Sequence, residues 1–278
     1  MSSQRLPISV LILTYNEEAN IRDCLESFYA WAGEIFIVDS GSTDKTLEIA
    51  RQYTDKIYSH AFQTFADQRN WAQDNLPINN EWVFHLDADE RVTPRLGEEL
   101  NKLFSAAVDA DGFMVSRRTI FQGRWIRHGG HYPVYHLRIF KKDKGRSEER
   151  FYDQNYIVDG KVGKIAGDII NIINPDLKLW RIQHKKWAYL EAQEVLFNKD
   201  RIMNIKFNGN PIESRNWLRY KIYYKLPLFI RSFIYFFYRY FLRLGFLDGR
   251  QGLVFHFWQG FWYRFLVDVR ILELKGKV

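Results

Sequence analysis

Short apolar runs alternate with helical patterns along the first hundred residues. Four short runs bounded by polar residues predict strands over 8–13, 34–38, 56–58 and 82–86. Between them, apolar residues such as Ile21, Leu25 and Phe28 recur every three or four positions, which predicts helices. This order favours an α/β fold built on a doubly wound, mostly parallel sheet.

Polar residues mark where two of these helices are expected to begin. Asn16 can cap the first helix, with Glu17 and Glu18 in its first turn. Thr43 or Asp44 can cap the second helix in the same way. We therefore expect each of the first two strands to lead almost directly into a helix.

The pattern changes after residue 110. Residues alternate in polarity as in strands, around a loop rich in hydrogen-bond donors, and long amphipathic segments follow. The predicted strands cover 111–121, 135–141 and 156–162, and the predicted helices cover 177–204, 214–244 and 252–274.

Positive charge and aromatic residues are concentrated in the last part of the chain. Residues 201–278 contain 14 Lys and Arg against 4 Asp and Glu, whereas the whole chain has 40 against 33. The same residues include 21 of the 47 aromatic side chains. Such a segment implies an anionic partner, either nucleic acid or a bilayer surface. Its aromatic residues lie among Leu, Ile and Val, which favours the membrane and argues against nucleic acid.

The last two predicted helices fit the surface of a membrane better than its interior. Arg231, Arg239 and Arg243 interrupt the first helix, and the uncharged stretch of the second is shorter than the roughly 20 residues that cross a bilayer. We expect both helices to lie in the interface, with Arg side chains on anionic lipid. A helical cap packed on the rest of the protein is the alternative.

The cysteine count and the first residues bear on location. Cys24 is the only cysteine, which excludes a disulfide framework and a Cys-based zinc site and favours a reducing, cytoplasmic setting. No signal peptide is expected, because the apolar run after residue 7 is too short. We therefore expect a protein that is peripheral on the inner face of the cytoplasmic membrane.

Polar clusters follow three of the predicted strands, at 14–17, 39–44 and 87–89. Ligands of doubly wound sheets bind beyond the carboxyl ends of the strands, so we expect these clusters to converge. Asp87 and Asp89 would project to the same side of their strand. Two such carboxylates suit Mg²⁺ or Mn²⁺, whose coordination shell is completed by water and substrate phosphate.

The sequence contains neither the G-x-G-x-x-G fingerprint nor a P-loop nor H-E-x-x-H. A nucleotide would therefore be held by side chains. Tyr15 offers a ring face on which a base can stack. Asp39 can accept the N–H of a pyrimidine, and the loop after it, including Ser42, offers hydroxyl and backbone N–H groups.

Three motifs in order resemble those of the family 2 inverting glycosyltransferases, which have the GT-A fold. They are ILTYNEE at 12–18, IVDSGSTD at 37–44 and LDADER at 86–91. Three later motifs resemble one bacterial branch, the lipopolysaccharide-core β-glucosyltransferases and related exopolysaccharide enzymes. They are QRN at 68–70, GRWIRHGG at 123–130 and GFLDG at 245–249.

The resemblance implies a domain division and residue roles. A GT-A domain would cover 1–210, with its nucleotide-binding part in about 1–110 and its acceptor part in about 111–210, followed by an amphipathic helical extension over 211–278. Asp89 would bind the metal and act in catalysis, and Asp87 would contact the ribose or a metal-bound water. The donor site would comprise Thr14, Tyr15, Glu17, Asp39, Ser42, Arg69, Asp87, Ala88, Arg127 and His128.

The sequence departs from the family where the general base is expected. Gln154 stands at an acidic position and cannot act as a base, so Asp153, one residue earlier, is the candidate. Glu148 and Glu149 are its rivals. A histidine found further on in relatives is replaced here by Asn171.

The resulting prediction is a nucleotide-sugar-dependent hexosyltransferase that acts with inversion and a divalent metal. The donor would be a UDP-sugar, with a GDP-sugar as the second choice, and the acceptor a membrane-anchored glycolipid or lipopolysaccharide. Transfer to a polyprenyl phosphate and a non-catalytic nucleotide-binding membrane protein are the alternatives.

Overall fold

The computed structural model of the protein describes residues 5–150, 154–173, 177–197 and 209–276. The chain forms two compact units. The first comprises Met1–Arg117, His136–Glu149 and Gln154–Ile172, and the second comprises Arg118–Tyr135, Arg150–Asp153 and Ile173–Val278. The predicted domain boundary at residue 210 stays a prediction.

The predicted alternation of strands and helices is confirmed. The strands are β1 (Leu6–Thr14), β2 (Ala32–Asp39), β3 (Ile57–Ser59), β4 (Trp82–Asp87), β5 (Glu90–Val92), β6 (Gly112–Phe121), β7 (Arg124–Ile126), β8 (Tyr135–Lys141), β9 (Gly145–Ser147), β10 (Tyr156–Val158) and β11 (Val162–Ile172). The helices are α1 (Ile21–Glu26), α2 (Thr46–Ala50), α3 (Phe65–Asn75), α4 (Pro94–Phe104), α5 (Leu177–Phe197), α6 (Pro211–Trp217), α7 (Ile230–Phe237), α8 (Gly249–Phe255) and α9 (Tyr263–Lys275).

The main sheet of the first unit has the order β3-β2-β1-β4-β8-β6-β11-β5. The four strands from β3 to β4 are parallel, as predicted, whereas β8 joins β4 and β5 joins β11 in antiparallel fashion. β1 lies inside the parallel half and is buried at Ile8, Val10 and Ile12. A parallel strand covered on both faces explains why its sequence is almost continuously apolar.

Three local predictions in the first unit are wrong. Asn16 does not cap α1, which begins at Ile21. Asn16 has a positive φ of 54°, and its side-chain oxygen accepts a hydrogen bond from the backbone N–H of Thr43 instead. Neither Thr43 nor Asp44 is the cap residue of α2, although Asp44 Oδ1 accepts a hydrogen bond from the backbone N–H of Thr46. The predicted strand over 156–162 is two strands, β10 and β11, separated by a turn at Gly160.

The helix predicted over 214–244 is interrupted. Pro227 has no N–H to donate and disfavours helical backbone in the residue before it, and Leu226 is extended with ψ of 152°. The chain resumes as α7, and π-helical turns follow at Tyr238–Leu242 and His256–Trp262. Among the described residues, no helix is both long enough and apolar enough to cross a membrane.

The polar side of α7 and of the π-helical turn after it lies inward. Arg231 and Arg239 are buried, so the prediction that they contact lipid is wrong. Arg231 donates from Nε to Asp268 Oδ1 at 2.7 Å, and Arg239 donates from Nε to the carbonyl of Gly129 at 2.7 Å. Both guanidinium groups are therefore used inside the second unit.

Candidate active site

The strand register brings the three predicted polar clusters of the first unit to one edge of the sheet. Thr14 at the end of β1 pairs with Asp39 at the end of β2, and Leu13 pairs with Asp87 at the end of β4. The carboxyl ends of β2, β1 and β4 therefore lie side by side. The expected convergence is confirmed for these strands.

Asp39 organises the loop that follows it. Its Oδ2 accepts the backbone N–H groups of Gly41 and Ser42, both at 2.8 Å. Its Oδ1 accepts the hydroxyl groups of Thr14 at 3.0 Å and Ser42 at 2.5 Å. These bonds fill the four acceptor positions of a carboxylate, so a base N–H would have to replace one of them. The base-contacting role of Asp39 stays a prediction.

We call the edge formed by the carboxyl ends of β2, β1 and β4 the donor edge, because the predicted donor-site residues Thr14, Asp39 and Asp87 lie there. The loops that follow β1 and β2 at this edge are joined by reciprocal hydrogen bonds. The backbone N–H of Asn16 donates to Ser42 Oγ at 2.9 Å, and Asn16 Oδ1 accepts the N–H of Thr43 at 2.8 Å. The N–H of Glu17 donates to Thr46 Oγ1 at 2.7 Å. These bonds fix the backbone that directly follows Tyr15, whose side chain is 59% exposed. Tyr15 therefore presents a free aromatic face, as base stacking requires.

Asp87 is held by two buried arginines. Arg69 Nη2 donates to Oδ1 at 3.0 Å, and Arg138 Nη2 donates to Oδ2 at 3.1 Å. Burial would raise the pKa of Asp87, but the charges of Arg138 and Arg69 outweigh burial and hold the pKa below its ordinary value. Asp87 is therefore ionised, with both oxygens already engaged.

Arg138 and Glu90 are site residues that sequence reasoning missed. Arg138 Nη2 also donates to Glu90 Oε1 at 2.7 Å, and Glu90 Oε2 accepts the backbone N–H of Asp87 at 3.0 Å. Both side chains are buried. A signal was present, because Arg138 interrupts the apolar stretch 137–140 of β8 and a charge buried in a strand needs a partner.

Asp89 lies among other carboxylates. Burial and the negative charges of Asp87, Glu90 and Glu17 raise the pKa of Asp89 to about 8. Asn171 Nδ2 donates to Asp89 Oδ2 at 3.0 Å, since β11 brings Asn171 opposite Glu90. The residue that replaces the expected histidine is thus in direct contact with Asp89.

The carboxylates at this edge fit a divalent cation, but they would supply only part of its coordination shell. In the described ranges, no group of three or more His, Cys, Asp and Glu could hold a metal ion. Asp89 has an excess of negative charge around it, which a cation would neutralise, whereas both oxygens of Asp87 are bound to arginine. Asp89 would therefore be the main protein ligand, with water and phosphate supplying the rest.

Three further predicted residues, Arg127, His128 and Asp153, do not belong to the described part of the first unit. Arg127 and His128 belong to the second unit, where His128 Nδ1 pairs with Asp248 Oδ1 at 2.7 Å and Arg127 lies over the ring of Trp125. Asp153, the candidate base, lies outside the described residues. Its role and those of Glu148 and Glu149 stay predictions.

Comparison with solved structures agrees with the fold described above. The fold class is GT-A, as the sequence predicted, and among solved structures the chain is similar to the mannosyltransferase PcManGT from Pyrobaculum calidifontis, in complex with GDP-Man and Mn²⁺. That similarity has a TM-score of 0.53 at 15% identity and covers 98% of this chain and 88% of the other.

The chain belongs to glycosyl transferase family 2, whose family model matches residues 9–162. It is 29% identical over 197 residues to the lipopolysaccharide core biosynthesis glycosyltransferase LpsC of Rhizobium meliloti, which covers 68% of this chain and 72% of that protein. It is also 33% identical over 99 residues to an uncharacterized glycosyltransferase of Rickettsia bellii, which covers 36% of this chain and 33% of that protein. The protein is thus a glycosyltransferase, as predicted.

Proposed function

We propose that this glycosyltransferase moves a sugar, with inversion, from a nucleotide-sugar to a membrane-anchored glycolipid or lipopolysaccharide acceptor. The observation that carries the proposal is Asp89, a carboxylate whose pKa is raised to about 8 by burial and by neighbouring acids at the donor edge. A carboxylate in such surroundings favours the binding of a cation. The name of the LpsC relative supports the acceptor class, and the GDP-Man and Mn²⁺ of PcManGT support the donor class and the metal.

The residues of the edge divide the work of holding a donor. Tyr15 would stack on the base, and the interlocked loops of Ser42 would contact the nucleoside. Arg69 and Arg138 keep Asp87 charged and fixed in place. Asp89 would hold Mg²⁺ or Mn²⁺, which supplies charge neutralisation to the leaving diphosphate.

Inversion requires a single displacement and one general base. The base would take the proton of the acceptor hydroxyl as the oxygen attacks the anomeric carbon on the face opposite the diphosphate. Asp153 is our candidate for this role, and Glu148 and Glu149 are the rivals. We further propose that the enzyme works as a peripheral protein on the inner face of the cytoplasmic membrane.

The test is sugar transfer by the wild type, Asp89→Asn and Asp109→Asn, with UDP- and GDP-sugars and either Mn²⁺, Mg²⁺ or EDTA. Asp109 is an exposed carboxylate of the same unit that pairs with Lys161, so its variant controls for the substitution itself. We expect Asp89→Asn and EDTA each to lower the rate at least about hundredfold, because they remove charge stabilisation of the leaving group.

The anomeric configuration of the product, read by NMR, decides between inversion and retention. Full activity of Asp89→Asn, or a product that retains the donor configuration, would overturn the corresponding part of the proposal. Transfer to a polyprenyl phosphate in preference to a glycolipid would favour the alternative acceptor.

A further inference from the structure

Helix α7 and the π-helical turn after it are apolar on their exposed side. The buried side carries Arg231, Ser232 and Arg239. The exposed side chains follow spacings of three and four residues and so form one stripe along the helix. This stripe consists of Ile230, Phe233, Ile234, Phe237, Tyr238, Phe241 and Leu242, each at least 43% exposed.

The interior of the second unit explains why the stripe faces outward. Asp268 is fully buried and accepts hydrogen bonds from Arg231 Nε and from the backbone N–H of Phe229, both at 2.7 Å. Arg239 is held by the Gly129 carbonyl and by His131 Nδ1 at 3.1 Å. Turning α7 over to bury its phenylalanines would break these bonds, so the exposed apolar stripe is fixed by the fold.

Exposed cations lie next to the end of the stripe. Arg243 follows Leu242 directly, and its carbonyl accepts the N–H of Gly129 at 2.8 Å, which joins it to the loop that carries Arg127. Arg124 Nη2 donates to the carbonyl of Leu247 at 3.2 Å. The side chains of Arg124, Arg127 and Arg243 are exposed.

Exposed apolar residues also lie beside these arginines. They are Leu244, Phe246 and Leu247, of which Leu244 directly follows Arg243 and Leu247 accepts the hydrogen bond from Arg124. A surface that is apolar along one helix and cationic at its end matches the boundary between acyl chains and anionic phosphates.

We propose that the second unit docks on an anionic lipid bilayer by this surface, with the α7 stripe among the upper acyl chains. Arg124, Arg127 and Arg243 then lie at the level of the lipid phosphates. The inference deepens the proposed function, on which its biological purpose rests, by naming the surface that brings the enzyme to a membrane-anchored acceptor. Vesicle binding itself can be measured without any sugar transfer.

The first experiment measures sedimentation of the full chain with vesicles that contain phosphatidylglycerol. The test variant is Phe233→Ser/Phe237→Ser/Phe241→Ser, and the control is Phe62→Ser, which changes a phenylalanine that is 44% exposed in the first unit. We expect the triple variant to partition at least about a hundredfold less, since each buried phenylalanine contributes roughly tenfold. The control should bind as the wild type does.

The second experiment compares anionic vesicles with purely phosphatidylcholine vesicles. Arg124→Gln/Arg127→Gln should lower the preference for the anionic vesicles about tenfold or more. The matched control, Arg146→Gln, removes an exposed arginine of the first unit that pairs with Asp74. An unchanged preference in the double variant would overturn the role of the cations.

Two readouts separate this inference from the proposed function. Asp89→Asn should bind vesicles normally, and the triple phenylalanine variant should keep its thermal stabilisation by donor and Mn²⁺. Equal vesicle binding by the triple variant and the wild type would overturn the inference, as would a wild type that ignores vesicles. A wild-type dimer that the triple variant abolishes, without vesicle binding, would assign the stripe to a second copy of the chain instead.

Discussion

The two compact units use apolar and charged residues in opposite ways. In the first, β1 buries Ile8 and Ile12, and the charged groups collect where the strands end. In the second, α7 and the π-helical turn after it bury Arg231 and Arg239 and expose an apolar stripe. The comparison teaches that periodicity identifies the two faces of a helix, whereas the partners of the polar face decide which one lies inward.

The largest effect on stability is expected at the buried ion pair between Arg231 and Asp268 in the second unit. Asp268→Ala leaves the buried Arg231 without its carboxylate, and removing one partner of a buried ion pair typically costs about 3–5 kcal/mol of unfolding free energy. Chemical denaturation measures this loss. A cost below that of Asp74→Ala, which breaks an exposed pair with Arg146 worth up to about 1 kcal/mol, would contradict it.

A double variant sharpens the same point. Arg231→Met/Asp268→Leu replaces both charges by apolar side chains and should recover most of the stability lost in Asp268→Ala. If it does not, the buried pair is needed for more than mutual neutralisation, and the hydrogen bond from Phe229 to Asp268 becomes the next contact to test.

A smaller effect is expected at the donor edge, and it depends on pH. The pKa of Asp89 is raised from 3.8 to about 8 in the folded protein, so the folded state binds the proton more tightly than the unfolded state. The tighter binding of this proton stabilises the folded state. The stabilisation is present in full below pH 3.8 and is lost as the pH rises through about 8.

Metal-free Asp89→Asn should therefore match the wild type in stability near pH 4 and be more stable near pH 9. We expect a difference of about 2 kcal/mol, or roughly 4–8 °C in melting temperature. This is less than the full shift would give at about 1.4 kcal/mol per pKa unit, because Asp89 is only half-buried and solvent screens its charged neighbours. Addition of Mn²⁺ should raise the melting temperature of the wild type only. Parallel profiles of melting temperature against pH for the two proteins would show that the raised pKa of Asp89 does not affect stability. Asp109→Asn serves as the control.

The smallest effect is expected at Asn171. Asn171→Ala removes the hydrogen bond to Asp89 Oδ2 but no charge, so we expect about a tenfold weaker dependence on Mn²⁺ with stability changed by about 1 kcal/mol. Titration of transfer activity with Mn²⁺ measures it. Asn171→His offers a sharper test, because it introduces the histidine that the family resemblance implies at this position and should leave Mn²⁺ use intact.

The parallel half of the sheet and its functional edge could be predicted from the sequence. The mostly apolar run 82–86 indicated a strand, and Asp87 directly after it marked the carboxyl end of that strand. The partners of Arg138 could not be predicted, because Asp87 and Glu90 meet it only through the antiparallel pairing of β8 with β4. The roles of Arg231 and Arg239 were misjudged for a related reason. Their spacing predicted a helical face, but Asp268 and Gly129, which bind them, are far away in sequence.

The interlocked loops around Asn16 and Ser42 have a consequence for affinity. Backbone that is already fixed by hydrogen bonds to Thr43 and Thr46 has little conformational entropy left to lose when a nucleotide arrives. The contacts that a donor makes with this edge are then not offset by the ordering of a mobile segment. Discrimination between nucleotides at this edge would depend on the fit of the base to a rigid template, and a poorly matched base would gain little from local rearrangement.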